Sequence, residues 1–188
     1  MSQTPVLLFL AEGFEEIEAL SVVDILRRAQ ISVQTVSVSE DLTVKGAHGI
    51  PVVADALLSD LPADIQSPAL VLPGGMPGAA NLAASPQLAE LLQQQNRRKG
   101  LLAAICAAPT VLSAAGVGNP SLHATAYPGF EDQVKTFAVV PEPLVEADNF
   151  ITAQGPAYAM AFGLAIVSAL AGPTTAQQVQ DGLLYKGL

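Results

Sequence analysis

One cysteine, two histidines and a pair of adjacent glycines hold most of the reactive potential of this 188-residue chain. Cys106 follows the apolar run 101–105 and precedes Ala107-Ala108-Pro109. A lone free cysteine is by default a packing residue, because the thiol behaves as a small hydrophobe. A cysteine between a buried strand and a helix start is differently placed. It occupies a strand–turn–helix elbow that lifts its sulfur above the sheet, and the free N–H groups of the helix favour the thiolate. A second strand end carries Pro73-Gly74-Gly75-Met76-Pro77-Gly78. Taken alone it is a turn. Beside the elbow, the N–H of Gly75 and that of Ala107 would form an oxyanion hole. No Lys-Ser/Thr follows and no G-x-G-x-x-G pattern is present, so neither phosphate-loop signature applies.

Glu18 is the third candidate. Glu15 and Glu16 read as solvated charges in a first helical turn. Glu18 lies in a segment whose Ile17 and Leu20 are expected to turn inward, which would set its carboxyl on the cleft. By itself a glutamate is a surface residue, since it is almost never buried unpaired. Next to a thiol, desolvation would raise its pKa, and the protonated carboxyl would then donate to the thiolate. One proton shared between sulfur and carboxyl is the expected catalytic unit. His123 reads as a structural imidazole at a strand start, and His48, in Gly46-Ala47-His48-Gly49, as a loop residue. A Cys–His nucleophilic pair has no evident histidine.

These groups need a scaffold. The runs 6–10, 33–38, 69–72, 101–105 and 150–152 are short and apolar, as buried strands are, and 15–28, 88–98, 109–115 and 156–171 carry helical spacing. Alternation of the two types predicts an α/β fold with a mostly parallel sheet and helices on both faces. Segments 45–54 and 136–145 are expected to add antiparallel or edge strands. No charged residue occurs in 66–89, 101–122 or 149–180, which should form the buried middle. The chain shows no repeat or linker, and one domain over 1–188 is expected.

Composition narrows the function classes. Apolar residues make up 51% of the chain and charged residues 13%, about half the usual ~25%. Acidic residues outnumber basic ones 17 to 8, for a net charge of −9, a field that disfavours general binding to nucleic acid or anionic membranes. A single cysteine and two histidines exclude a disulfide and a multi-thiolate or histidine-rich metal site. The N-terminal segment lacks the basic flank of a signal peptide. The apolar stretch 157–171 is too short for a membrane span of ~20 residues. A cytoplasmic protein with no metal and no cofactor is expected.

The segments Glu15-Glu16-x-Glu18, Pro73-Gly74-Gly75, Ala103-Ala104-Ile105-Cys106-Ala107-Ala108-Pro109 and Gln154-Gly155-Pro156 resemble the DJ-1/ThiJ/PfpI superfamily, in particular its DJ-1 branch and bacterial YajL-like members. The resemblance implies a flavodoxin-like three-layer sandwich, a cysteine nucleophile elbow and a homodimer. It casts Cys106 as nucleophile, Glu18 as its protonated partner, and Gly75 and Ala107 as backbone donors. Gly74, Gly155 and Pro156 fall in motif segments that would contact substrate. His48 takes a position where relatives carry Arg reaching the partner subunit's site, and Arg28 matches a basic residue near bound anions. Tyr127 stands where many relatives have histidine. Peptidase-like relatives have histidine directly after the nucleophile; here Ala107 follows it, against proteolysis. The implied activity is cysteine-dependent removal of reactive dicarbonyls, as a glutathione-independent glyoxalase or a deglycase of methylglyoxal or glyoxal adducts. The alternative is a non-enzymatic redox sensor or stress chaperone acting through oxidation of Cys106.

Overall fold

A computed structural model describes residues 4–187; the start of the N-terminal segment, residues 1–3, lies outside them. Seven strands form the central sheet. Four of them run through its middle: β1 (Val6–Leu10), β6 (Ala69–Leu72), β7 (Leu101–Ile105) and β11 (Phe150–Ala153). All but Leu101 of their residues are buried, the signature of parallel strands covered on both faces. β2 (Val33–Ser37) and the two-residue β5 (Ala56–Leu57) extend one side, and β10 (Leu144–Ala147) closes the other. The order is β10-β11-β7-β6-β1-β2-β5, parallel throughout except for the β10–β11 pair.

Two groups of helices cover the sheet. α1 (Glu16–Arg28) packs on α5 (Ala159–Ala171), and α5 packs on α6 (Pro173–Gly182). α2 (Gly78–Ala83), α3 (Pro86–Arg97) and α4 (Pro109–Ala114) touch one another instead. α5 is apolar nearly all round, with Phe162, Ile166 and Val167 fully buried, because it meets the sheet, α1 and α6 at once. The expected α/β architecture with helices on both sides is the one observed. The segment expected as one helix from 156 begins with a 3-10 turn (Pro156–Tyr158) before α5. The segment 45–54 holds β4 (Pro51–Val53), which pairs in an antiparallel ribbon with β3 (Thr43–Lys45), a strand that begins two residues ahead of the expected segment. β8 (His123–Ala124) and β9 (Ala138–Val139) pair outside the main sheet, in parallel.

Topology places the site. The chain leaves β1 for β2 on one side, then returns to β6 on the other, so strand order reverses at β1. Ligands of open α/β sheets bind outside the carboxyl ends of strands at such a switch point. Glu18, Gly74-Gly75 and Cys106 follow the carboxyl ends of β1, β6 and β7, three strands side by side.

Candidate active site

Glu18 reaches the cleft by a route opposite to the expected one. Ile17 and Leu20 do not turn inward: they are 55% and 40% exposed. The buried stripe of α1 is Ala19, Val22, Ile25 and Leu26, and Glu18, with no exposed surface, lies beside it. Steps of three and four residues set this face, and apolar type alone misassigned it. Glu15 and Glu16 are corrected too. Neither is a solvated first-turn charge: Glu16 is buried and the Glu15 side chain is 12% exposed.

Cys106 sits in the elbow with φ of 65°, the left-handed region that non-glycine residues rarely adopt. Two backbone bonds hold it there. Its N–H donates to the Ala153 carbonyl of β11 (2.8 Å), and its own carbonyl accepts from the Tyr127 N–H (2.8 Å). The thiol is mostly covered, the residue being 8% exposed. Gly75 and Ala107 direct their N–H groups to the sulfur. Gly75 has φ of 86° and lies so close to the α1 entry that a Cβ would stand 2.5 Å from the Glu15 nitrogen. Gly74 separates the reactive groups themselves. A Cβ there would fall 2.6 Å from the Cys106 Cβ and 2.9 Å from Glu18 Oε2.

The Glu18 carboxyl is held from one side. Oε2 accepts from the Gly74 N–H at 2.7 Å. Among the described residues Oε1 is buried without a hydrogen-bond partner, and the carboxyl lies against the sulfur. Burial pushes Glu18 up to about 7, against the bonds from Gly74 and Cys106. Burial, reinforced by the Glu18 charge, pushes the Cys106 thiol up to about 12, and the Gly75 and Ala107 N–H groups only partly offset this. The helix start expected to favour the thiolate acts here against burial and the Glu18 charge. α4 has six residues, and its contribution is smaller than burial and a neighbouring carboxylate. The coupled pair gives up one proton near neutrality and keeps the second. The proton that remains is shared between the Glu18 carboxyl and the sulfur.

The other predicted residues divide. Tyr127 is exposed, with its ring against Gly155 (3.1 Å from where a Cβ would stand) and edge-on to Phe130. Gly155 and Pro156 open the 3-10 turn before α5. Tyr127 is thus joined to the elbow by its backbone and to the Gly155 turn by its ring. Arg28 is not brought to Cys106 within the chain: it lies ten residues beyond Glu18, about 15 Å along a helix, with Nε 2.6 Å from Asp24. His48 bonds Glu16, with Nδ1 2.9 Å from Oε2 and its N–H 2.9 Å from Oε1. Its imidazole therefore does not serve the sulfur of its own chain, and His123 is exposed at the start of β8.

Sequence reasoning missed this Glu16–His48 junction. Glu16 Oε1 also accepts from the Ile50 N–H at 3.4 Å, so one buried carboxylate gathers the 46–50 loop. Burial would raise its pKa, but the His48 ring and these N–H groups hold it below the ordinary value. The same bond, with the Glu15 charge, raises that of His48. Glu15, Glu16 and His48 bring potential metal-ligand atoms within 4.8 Å of one another, yet both Glu16 oxygens are already engaged by His48. The only sequence sign was Gly46, where a Cβ would overlap the Glu16 carboxyl.

Comparison with known proteins follows the same geometry. The DJ-1/PfpI family profile matches residues 4–169. The Parkinson disease protein 7 homolog of Danio rerio is 38% identical over 183 residues, 96% of each chain. The glutathione-independent glyoxalase DJR-1.2 of Caenorhabditis elegans is 34% identical over 173 residues, 91% of this chain and 90% of that one. The crystal structure of Drosophila melanogaster DJ-1beta superposes with a TM-score of 0.92 at 36% identity, covering 97% of this chain and 98% of the other. With this breadth of match in sequence and fold, the chain belongs to the DJ-1/PfpI family.

Proposed function

We propose that the protein is a cysteine-dependent, glutathione-independent enzyme of reactive dicarbonyls, with Cys106 as nucleophile and Glu18 as its proton carrier. The observation that supports this most is the geometry: the Glu18 carboxyl, fully buried and held by the Gly74 N–H, lies against the Cys106 sulfur at which the Gly75 and Ala107 N–H groups are aimed. In the reactive tautomer the proton is on Glu18 and the sulfur is a thiolate. The sulfur attacks the aldehyde carbon of methylglyoxal, and the C=O π electrons move to oxygen, which takes the Glu18 proton to give a hemithioacetal. The charge that Gly75 and Ala107 steadied on sulfur passes to that oxygen within their reach. Glu18, now ionised, removes the proton from the former aldehyde carbon and returns it to the adjacent carbon. With the hydroxyl proton passing from the first carbon's oxygen to that of its neighbour, this leaves a lactoyl thioester. Water adds to it and releases the thiol, lactate and a proton, so the net change is methylglyoxal plus water to lactate plus a proton. A related glyoxalase in C. elegans supports the substrate class. Deglycation would start from an adduct of the same dicarbonyl.

The test is methylglyoxal consumption with lactate measured directly. Wild type should turn over, Cys106→Ser should not, and Glu18→Gln should lose ~10²–10⁴-fold in kcat, the range for general acid–base groups. Loss of methylglyoxal without lactate would sink the reading.

A second reading has its own support. The same unpartnered Oε1 would donate, when protonated, to an oxygen on an oxidised sulfur. Two equivalents of hydrogen peroxide would take the thiolate through sulfenate to sulfinate, each giving up one oxygen and leaving water. Selective sulfinate formation in a wild type inactive toward methylglyoxal would favour the sensor.

The working unit we infer is a homodimer. Ile17 and Leu20 on α1 and Ile50 and Val53 on the ribbon are 40–68% exposed, and the Glu16–His48 junction ties these two elements together. That makes an apolar face suited to a second copy. Val53→Asp with Ile17→Lys should convert the sedimenting species to monomer; a monomeric wild type would refute the assignment. Among the described residues no helix is long and apolar enough to cross a membrane.

A further inference from the structure

The reaction above leaves unused a groove of about 470 Å³ between α2 and α4, bounded also by residues 130–135. That space equals the liquid share of ~15 water molecules, at about 30 Å³ each, far more than a three-carbon dicarbonyl fills. Met76, Ala80, Ala83 and Phe130 give it an apolar wall.

Three of its residues connect to the reactive centre. Met76 directly follows Gly75, whose N–H faces the sulfur. Thr110 Oγ1 donates to the Ala107 carbonyl at 2.7 Å. Phe130 lies edge-on to Tyr127, centroids 6.4 Å apart, and the Tyr127 N–H holds the Cys106 carbonyl.

The polar side of the groove is selective. The hydroxyls of Thr110 and Ser113 already have partners inside the protein, Ser113 Oγ lying 2.8 Å from Thr136 Oγ1. Lys135 is exposed on the groove. Among the described residues no carboxylate lies within 4 Å of its ammonium. Of its acidic neighbours in the same loop, Glu131 is turned back onto the Gly129 N–H at 2.7 Å, and Asp132 is exposed. In a chain of net charge −9, a cation beside an apolar groove favours one kind of occupant, an apolar chain ending in an anion.

We propose that this groove is the subsite for the carrier part of the substrate, a dicarbonyl adduct whose apolar chain lies on Met76, Ala80 and Phe130 and whose carboxylate pairs with Lys135. The proposal deepens the functional reading and rests on Cys106 as the nucleophile. It also shifts the weight, within that reading, from free methylglyoxal toward adducts on carboxylate-bearing amines or thiols.

The test is designed to survive failure of the dicarbonyl chemistry. Cys106 is alkylated by N-iodoacetyl-6-aminohexanoate and, separately, by the neutral hexanamide of the same reagent. The sulfur displaces iodide and forms one C–S bond in either case, so only the tail differs. Rates are expressed relative to tail-less iodoacetamide at pH 8 and low salt. Wild type should favour the carboxylate tail by about three- to fivefold, the size of an exposed ion pair. Lys135→Gln should bring the two tails to parity, and 0.5 M salt should do the same to wild type. Equal rates in wild type would overturn the proposal, as would a preference that persists in Lys135→Gln. A phosphonate tail outpacing the carboxylate would overturn the carboxylate assignment. Methylglyoxal turnover, measured on the same preparation, reports separately on the catalytic reading.

Discussion

Two glutamates two positions apart on α1 are both buried and meet opposite fates. Glu16 gathers the His48 ring and two backbone N–H groups and is held below its ordinary pKa. Glu18 has one N–H, from Gly74, and a second oxygen without a partner among the described residues, and it rises to about 7. Burial acts on both in the same direction. Glu18 is the more deeply desolvated and has the fewer donors, and both differences raise it, because each bond to the charged form opposes desolvation. A fully satisfied carboxylate fixes a loop. A half-satisfied one is left with a proton to exchange near neutrality, as an acid–base group requires.

The comparison can be broken at several points. The largest effect expected is on chemistry: Glu18→Gln should abolish most methylglyoxal turnover while Glu16→Gln leaves the reacting groups in place. If Glu16→Gln proved the more damaging to kcat, the division of roles would be wrong. Stability should divide the other way. At pH 8 Glu18→Gln should stabilise the fold by up to about 3 kcal/mol, since one pKa unit corresponds to 1.36 kcal/mol. Below about pH 4.5 the carboxyl is protonated in folded and unfolded chains alike. Between there and about 7 only the unfolded chain ionises, so wild-type stability falls as pH rises. Denaturant titrations of both proteins at pH 4 and pH 8 would show a gap that opens with pH; a constant gap would contradict it.

Glu16→Ala should instead cost about 2 kcal/mol, the scale of hydrogen bonds to a charged group, and release the 46–50 loop to faster amide exchange. Gly74→Ala should cost a comparable ~1–3 kcal/mol by overpacking, with its Cβ driven against Cys106 and Glu18. Unchanged stability and turnover in Gly74→Ala would mean the two groups are less tightly apposed than the structure shows. The smallest effect belongs to His48. Its pKa is raised by Glu16 and then Glu15, so its contribution is complete below the ordinary imidazole value and fades as pH rises through the raised one. Exchange at the amides of 46–50 should quicken across that window in wild type and not in His48→Ala.

What was legible in the sequence followed from local pattern. β1, β6, β7 and β11 are continuous apolar runs because both their faces are covered, and the cysteine elbow needs only a strand, a short turn and Pro109. Less legible was anything set by a partner distant in sequence. Glu16 read as a surface charge because its donors lie 32 and 34 residues away. Ile17 and Leu20 read as core because apolar type does not say which face of an amphipathic helix meets the protein. α2, with the sequence GAANLA, and α6, with PTTAQQVQDG, carry too little apolar contrast to announce themselves. The burial that works against the thiolate was not legible, because a sequence shows the helix start but not what covers the sulfur.

The left-handed backbone of Cys106 has a consequence for inheritance. A non-glycine residue held at φ of 65° gives up ~1 kcal/mol or more, and for a chain of this size each kcal/mol moves the melting temperature by about 2–4 °C. Glycine at this position would relieve that strain while deleting the sulfur, so Cys106→Gly should melt higher and do nothing. In a lineage released from the need for the thiol, selection for stability alone would remove it. Retention of cysteine at a position that favours glycine is thus a mark of continuing use, readable by comparing melting curves.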